Sequence, residues 1–166
     1  MAQTPTHATP RAKGARLMKV VNVPMRLLLG LPFATPLSRQ LMLLSFTGRK
    51  TGKHYRQPVS YVPEGDTLLT PAGGRWRLNL RDGQAITVRL RGRDVRLAPE
   101  FISDLDEVER LLNYMMQVSP RNTARVPVMG PGGQVDRDKL RAVVDWGFRI
   151  IRWHFEASAR AHATPE

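Results

Sequence analysis

The chain has 166 residues, 42% of them hydrophobic and 24% charged, which suits one hydrophobic core and excludes wholesale disorder. Lys and Arg number 26 against 14 acidic residues, a formal net charge of +12 that attracts polyanions: nucleic acid, anionic lipid or phosphorylated ligands. Cysteine is absent, which excludes disulfides, thiolate catalysis and cysteine-based metal centres and fits a cytoplasmic setting.

Residues 1–11 are Thr, Pro, Ala and His without apolar periodicity and read as a disordered tail, as do residues 157–166. Residues 12–156 read as a single domain. Its first segment, Ala12 to Leu31, has a helical pattern, with Leu17, Val21, Met25 and Leu28 on one side and Arg16, Lys19 and Arg26 on another; Pro24 predicts a kink. The apolar run Leu27 to Ala34 is too short to span a bilayer, and no small-x-small cleavage site follows, so it reads as part of the mature chain. Gln40 to Thr47 reads as a strand buried on both faces, and Tyr55 to Val62 as a second strand whose Pro58 implies a bulge or an edge. Pro63-Glu64-Gly65-Asp66 has the composition of a turn before a returning strand, Thr67 to Thr70.

Further on, Ile86, Val88 and Leu90 alternate with Thr87, Arg89 and Arg91, and Val95 and Leu97 alternate with Asp94 and Arg96. This predicts a hairpin with one basic face, turning at Gly92-Arg93. Asp104 with Glu107 predicts a capped helix bearing the stripe Leu105, Val108, Leu111, Leu112 and Met115. Asp136 starts a last helix, Gly147 stops it, and Phe148 to Phe155 reads as a closing strand. Five or six strands in hairpin order with intervening helices indicate an α+β protein built around a small barrel.

Two segments could carry chemistry. The loop Gly48-Arg49-Lys50-Thr51-Gly52-Lys53 combines two glycines, a planar guanidinium, two ammonium groups and a hydroxyl, the donors that a phosphate needs. It lacks Walker spacing, and composition alone favours a solvated basic turn, with phosphate binding open beside it. In Trp76-Arg77-Leu78-Asn79-Leu80-Arg81, the spacing puts Trp76, Asn79 and Leu80 on one face of a short helix with Arg77 and Arg81 on its flank. That face is either a pocket wall or a core anchor. His7, His54, His154 and His162 have no ligand-like spacing, so no metal site is expected. Gly130 to Gly133 reads as a flexible loop, and Tyr55, Tyr61 and Tyr114 as packing residues with proton-bearing hydroxyls.

Taken in order, these segments resemble the deazaflavin (F420)-dependent nitroreductase or quinone reductase-like family. The resemblance runs through Ser38 to Leu44, Thr47 to Lys53, Pro58-Val59 with Tyr61, Gly73-Gly74, Trp76 to Arg81 and the hairpin ending Arg89 to Arg93, and covers roughly residues 15–155. It implies a split β-barrel related to pyridoxamine-phosphate-oxidase-like, FMN-binding proteins, with an N-terminal helix and two peripheral helices. It also implies coenzyme F420, with FMN as the alternative, and hydride transfer to a small electron-poor acceptor such as a quinone, an enone or a nitroaromatic. On this resemblance Arg49, Lys50, Thr51 and Gly52 hold the cofactor's phosphate with Lys53 nearby. Pro58 and Val59 present backbone to the ring, and Thr70, Pro71 and Ala72 approach its other edge. Trp76, Asn79 and Arg81 complete the pocket, and Tyr61 or Tyr114 is the candidate proton donor. The segment between Ala72 and Trp76 departs from the family's best-studied branch, which carries an insertion there.

Other readings use the charge differently. A nucleic-acid-binding barrel would use the arginines at 75, 77, 81, 89, 91, 93 and 96, but aromatic residues are not interleaved among them, so no nucleic acid is expected. Peripheral attachment to an anionic membrane through the N-terminal helix is compatible with the enzyme reading, and monomer and homodimer both stay open.

Overall fold

The computed structural model describes residues 27, 29–31, 36–124, 126–130 and 133–156. Most of the expected N-terminal helix and both expected tails lie outside the described residues. Seven strands form one antiparallel sheet in the order β2-β1-β5-β6-β7-β4-β3. They are β1 Leu41–Thr47, β2 His54–Ser60, β3 Val62–Glu64, β4 Thr67–Ala72, β5 Ile86–Leu90, β6 Arg93–Ile102 and β7 Arg149–Phe155. The sheet curls until β2 approaches β4, a split half-barrel, as the strand pattern predicts. Among the described residues, three α-helices follow in the second half: α1 Leu105–Val118, α2 Pro120–Thr123 and α3 Arg137–Asp145.

The curl gives the sheet two faces, and β4 and β7 are apolar on both because each face has its own cover there. Inside the barrel Met42, Leu44, Val88, Leu97, Ile151 and Trp153 pack together. Outside it Val62, Leu69 and Ile150 meet Leu111, Leu112 and Met115 of α1 and Leu140 of α3. Successive residues of β7 serve the two cores, Ile150 facing the helices and Ile151 the interior, and both are fully buried. Each such side chain contributes ~2 kcal/mol by leaving water. Trp153, also fully buried, donates its indole N–H to Thr70 Oγ1 at 3.1 Å, which removes the cost of burying both groups.

Above the helix-covered face lies a network of paired charges. Arg152 contacts Glu64 at 3.0 Å, Glu107 at 3.0 Å and Glu100 at 3.4 Å. Arg110 joins Glu107 at 2.8 Å and Glu64 at 3.3 Å, and His154 joins Glu100 at 2.8 Å. Glu107 is held down to a pKa of about 2, first by the hydrogen bond from Arg110 and then by that from Arg152, with burial opposing. Arg137 of α3 ties back to Asp106 and Glu109 of α1.

Both long helices start as their sequences predict. The Asp104 side chain accepts from Glu107 N, and Asp136 accepts from the backbone N–H groups of Asp138 and Lys139. Several expectations need correction. The β5–β6 turn is Arg91-Gly92 rather than Gly92-Arg93: Leu90 pairs with Arg93, and φ is +49° at Arg91 and +82° at Gly92. Two successive positive φ values match the right-handed twist of the strands, so glycine takes the second place and an arginine tolerates the first. The strand expected over Tyr55 to Val62 breaks at Tyr61, and Pro63-Glu64 extends into β3 instead of turning. Pro63 is accepted there because β3 is a margin of the sheet, as is β2 with Pro58, where pairing with β1 runs through without a bulge. Helix α2 and the last five residues of β6 carry no periodic signal of their own. No helix among the described residues is long and apolar enough to cross a membrane.

Candidate functional site

The β1–β2 loop closes on itself. Gly48 N donates to Lys53 O at 2.8 Å and Gly52 N to Gly48 O at 2.9 Å, with Gly52 at φ +64°. Gly48 is required by crowding: a Cβ there would stand 2.5 Å from Tyr55 Cε2 and 2.8 Å from Thr51 Oγ1. Tyr55 in turn stacks on Phe46, its pairing partner in β1, with ring centroids 6.0 Å apart.

A second element latches this loop from 30 residues away. After Gly73-Gly74 the chain makes a 3-10 helix, Arg75–Asn79, rather than the α-turn that would bring Leu80 and Arg81 onto it. Leu80 is its extended cap and is buried, while Arg81 is exposed. Asn79 closes the helix by donating to Trp76 O at 3.0 Å, and its Oδ1 accepts from Arg49 N at 3.1 Å. Arg49 Nη1 also donates to Leu78 O at 3.1 Å. Loop and helix therefore form one rigid piece, and Arg49 is oriented before any ligand arrives.

Two clefts flank the Arg75–Asn79 helix. The first, about 500 Å³, is lined by Gly48, Arg49, Lys50, Thr51, Tyr55, Arg75, Leu78 and Asn79. Three cations and no carboxylate face it, a donor set suited to phosphate or another polyanion. The second, about 300 Å³, lies between Pro58-Val59-Ser60 of β2, Pro71, Gly73 and Trp76 on one side and Asn122, Val126, Pro127 and Phe148 on the other. Its walls are mainly apolar and hold no titratable group, which suits a flat ring system.

Of the residues singled out from sequence, Arg49, Lys50, Thr51 and Asn79 share the first cleft, and Pro58, Val59, Pro71 and Trp76 share the second. Gly52 shapes the loop, whereas Lys53 and Arg81 are exposed and line neither cleft. Thr70 and Ala72 are buried, the Thr70 hydroxyl being the acceptor for Trp153. The two candidate proton donors also line neither cleft. The buried Tyr61 hydroxyl donates to Ser38 O at 3.0 Å and accepts from Arg91 Nε at 3.1 Å, and the Tyr114 hydroxyl donates to Pro63 O at 2.7 Å.

Arg75 and Leu78, three residues apart and so aligned on the 3-10 helix, line the first cleft, and the sequence reading assigns neither a place in a pocket. Tyr55, expected as a packing residue with a proton-bearing hydroxyl, lines the first cleft. Asn122, Val126, Pro127 and Phe148 belong to remote segments, and no local pattern marks them.

Comparison with known proteins places these features in context. A family model described as F420H(2)-dependent quinone reductase matches residues 22–128. A solved F420-H2 dependent reductase (FDR-A) is 15% identical, with 70% of this chain and 95% of that one covered at a TM-score of 0.47. Another solved structure, a domain-swapped dimer, is also 15% identical, covering 83% and 99% at a TM-score of 0.48. Among curated proteins nothing matches.

Proposed function

Because this chain belongs to the F420H(2)-dependent quinone reductase family, we propose that its two clefts divide the cofactor between them: phosphate in the first, ring and acceptor in the second. The observation that carries this is the first cleft, where Arg49, Lys50, Thr51 and Arg75 converge with no acidic residue among them. Three like charges gathered around one concave place, with no carboxylate to offset them, make a local positive potential that draws an anion.

The residues present fit the cofactor. Arg49 offers the face of its guanidinium not used by Leu78, Lys50 and Arg75 add charge, and Thr51 adds a hydroxyl already oriented by Tyr55 at 3.2 Å. Pro58, Val59 and Trp76 give a rigid apolar slot in which water is displaced from a planar ring. The reduced deazaflavin, when bound, supplies the hydride that the acceptor takes. The chain's own work is then to grip, align and dry the reactants, because no acid or base lines the second cleft. Protons needed by the reduced quinone come from solvent, and the Tyr61 and Tyr114 hydroxyls act as structural ties.

The test is a fluorescence titration of the protein with oxidised F420 and, separately, with FMN. Micromolar or tighter F420 affinity is expected, falling about a hundredfold in the Arg49→Ala, Lys50→Ala double variant, since two charge-assisted contacts of ~1.5 kcal/mol each are lost. Tight FMN binding with no F420 binding would move the chain to flavin chemistry on the same fold.

A further inference from the structure

The helix that separates the two clefts carries one arginine that neither cleft uses. Arg77 is half-buried, and its Nε is shut off from solvent with no hydrogen-bond partner among the described residues. Its Nη2 rests on Gly147, so closely that a Cβ there would stand 2.5 Å away. Gly147 has φ +98°, so the turn after α3 is bent into a shape that leaves room for this guanidinium.

Two residues on, Arg149 pairs with Ala72 at the end of the β4–β7 ladder. Its Nη1 donates to Val144 O at 2.8 Å and Phe148 O at 2.7 Å, which fixes the plane of its fork. The neighbouring charge is felt: burial first and Arg149 second lower the pKa of Arg77. No carboxylate among the described residues forms an ion pair with either arginine, although the acids of this chain are elsewhere well paired. Trp76 and Phe148, the residues just before the two arginines, both line the second cleft. A guanidinium with a buried, unpartnered Nε, beside a second one held only by neutral carbonyls, is a ready partner for an oxyanion.

We propose that Arg77 and Arg149 form an oxyanion-recognition pair beside the second cleft and select acceptors that carry a carboxylate. This rests on the reading of that cleft as the acceptor's place. A carboxylate carried by the cofactor would offer the same chemistry, and the two sources are separated experimentally.

Two arms do this. In the first, cofactor-free protein labelled with 15N is titrated with benzoate while the arginine side-chain Nε–H resonances are followed. Saturable shifts of Arg77 and Arg149 that disappear in Arg77→Met are expected, and no shift at either would overturn the proposal whether or not F420 binds. In the second, kcat/KM is measured with F420H2 for 1,4-naphthoquinone-2-carboxylate and for its neutral carboxamide. The carboxylate-to-carboxamide ratio should fall about tenfold in Arg77→Met, the worth of one charge-assisted contact, with partial recovery in Arg77→Lys. A ratio that does not move while F420 affinity drops tenfold or more would assign the anion to the cofactor and overturn the proposal. If F420 fails to bind at all, the cofactor reading fails, and the benzoate arm still decides the arginine pair.

Discussion

Arg152 and Arg77 are both half-buried arginines anchored near β7, yet their surroundings are opposite. Arg152 meets three carboxylates from β3, β6 and α1, so its charge is spent within the fold. Arg77 meets another arginine and no acid among the described residues. The same division runs through the molecule: acids congregate with cations on the helix-covered face, while Arg49, Lys50, Arg75 and Arg77 gather beside the clefts with none. A surplus of positive charge read as one number thus separates into a neutralised half that builds the fold and a residual half available to ligands. Placement of the acids makes the distinction, because the carboxylates that offset Arg110, Arg137 and Arg152 have no counterpart around the first cleft.

The division can be broken from either side. Arg152→Met should have the largest effect, lowering stability by ~2 kcal/mol by leaving Glu64 and Glu107 to share Arg110 alone in a partly dry site. Thermal and urea unfolding would register it, and F420 affinity should stay within twofold; a comparable loss of affinity would show that the two halves are not separate. Asn79→Leu attacks the other side. Losing the acceptor for Arg49 N and the tie to Trp76 O should weaken F420 binding about tenfold in a fluorescence titration, for one hydrogen-bonded latch of ~1.4 kcal/mol, with little change in unfolding midpoint.

Acid should separate the halves by titration. The Glu107 carboxyl ionises at about 2 in the folded protein against an ordinary value of 4.5. A depressed carboxylate stabilises fully above its unfolded value, and that contribution is lost as pH falls toward the folded value. Melting temperatures by circular dichroism should therefore decline between pH about 4.5 and about 2, and less steeply in Arg110→Met. An identical slope in the two proteins would rule out this pair as the source. The smallest change expected is Asp104→Ala, which removes the cap of α1 at a cost of ~1 kcal/mol seen in the denaturation midpoint, and should leave both clefts unaffected.

How much of this could be read in the sequence follows from how local each cause is. The strand of Leu41 to Thr47, the Asp104 and Asp136 caps and the stop at Gly147 are decided within a few residues, and each is where the pattern puts it. The β5–β6 turn went astray by one residue, because Gly-first and Gly-second turns compete on composition and the register is chosen by pairing of Leu90 with Arg93. The loop Gly48 to Lys53 was legible as a donor cluster, whereas its latch to Asn79 depends on a tertiary meeting that no spacing rule contains. The far wall of the second cleft, from Asn122 to Phe148, is assembled by α2 and the end of α3, and was illegible for the same reason.

One further consequence lies at the sheet's two margins. β2 and β3 each hold a proline, Pro58 and Pro63, and the Pro58 carbonyl is already taken by Gln57 Nε2 at 3.0 Å. A newly made or crowded chain seeking a ladder to extend finds at each margin a residue with no N–H to offer. Runaway strand addition, the usual hazard of an open sheet, is interrupted at both of its starting points, so a stable association between copies is expected to use faces and helices instead.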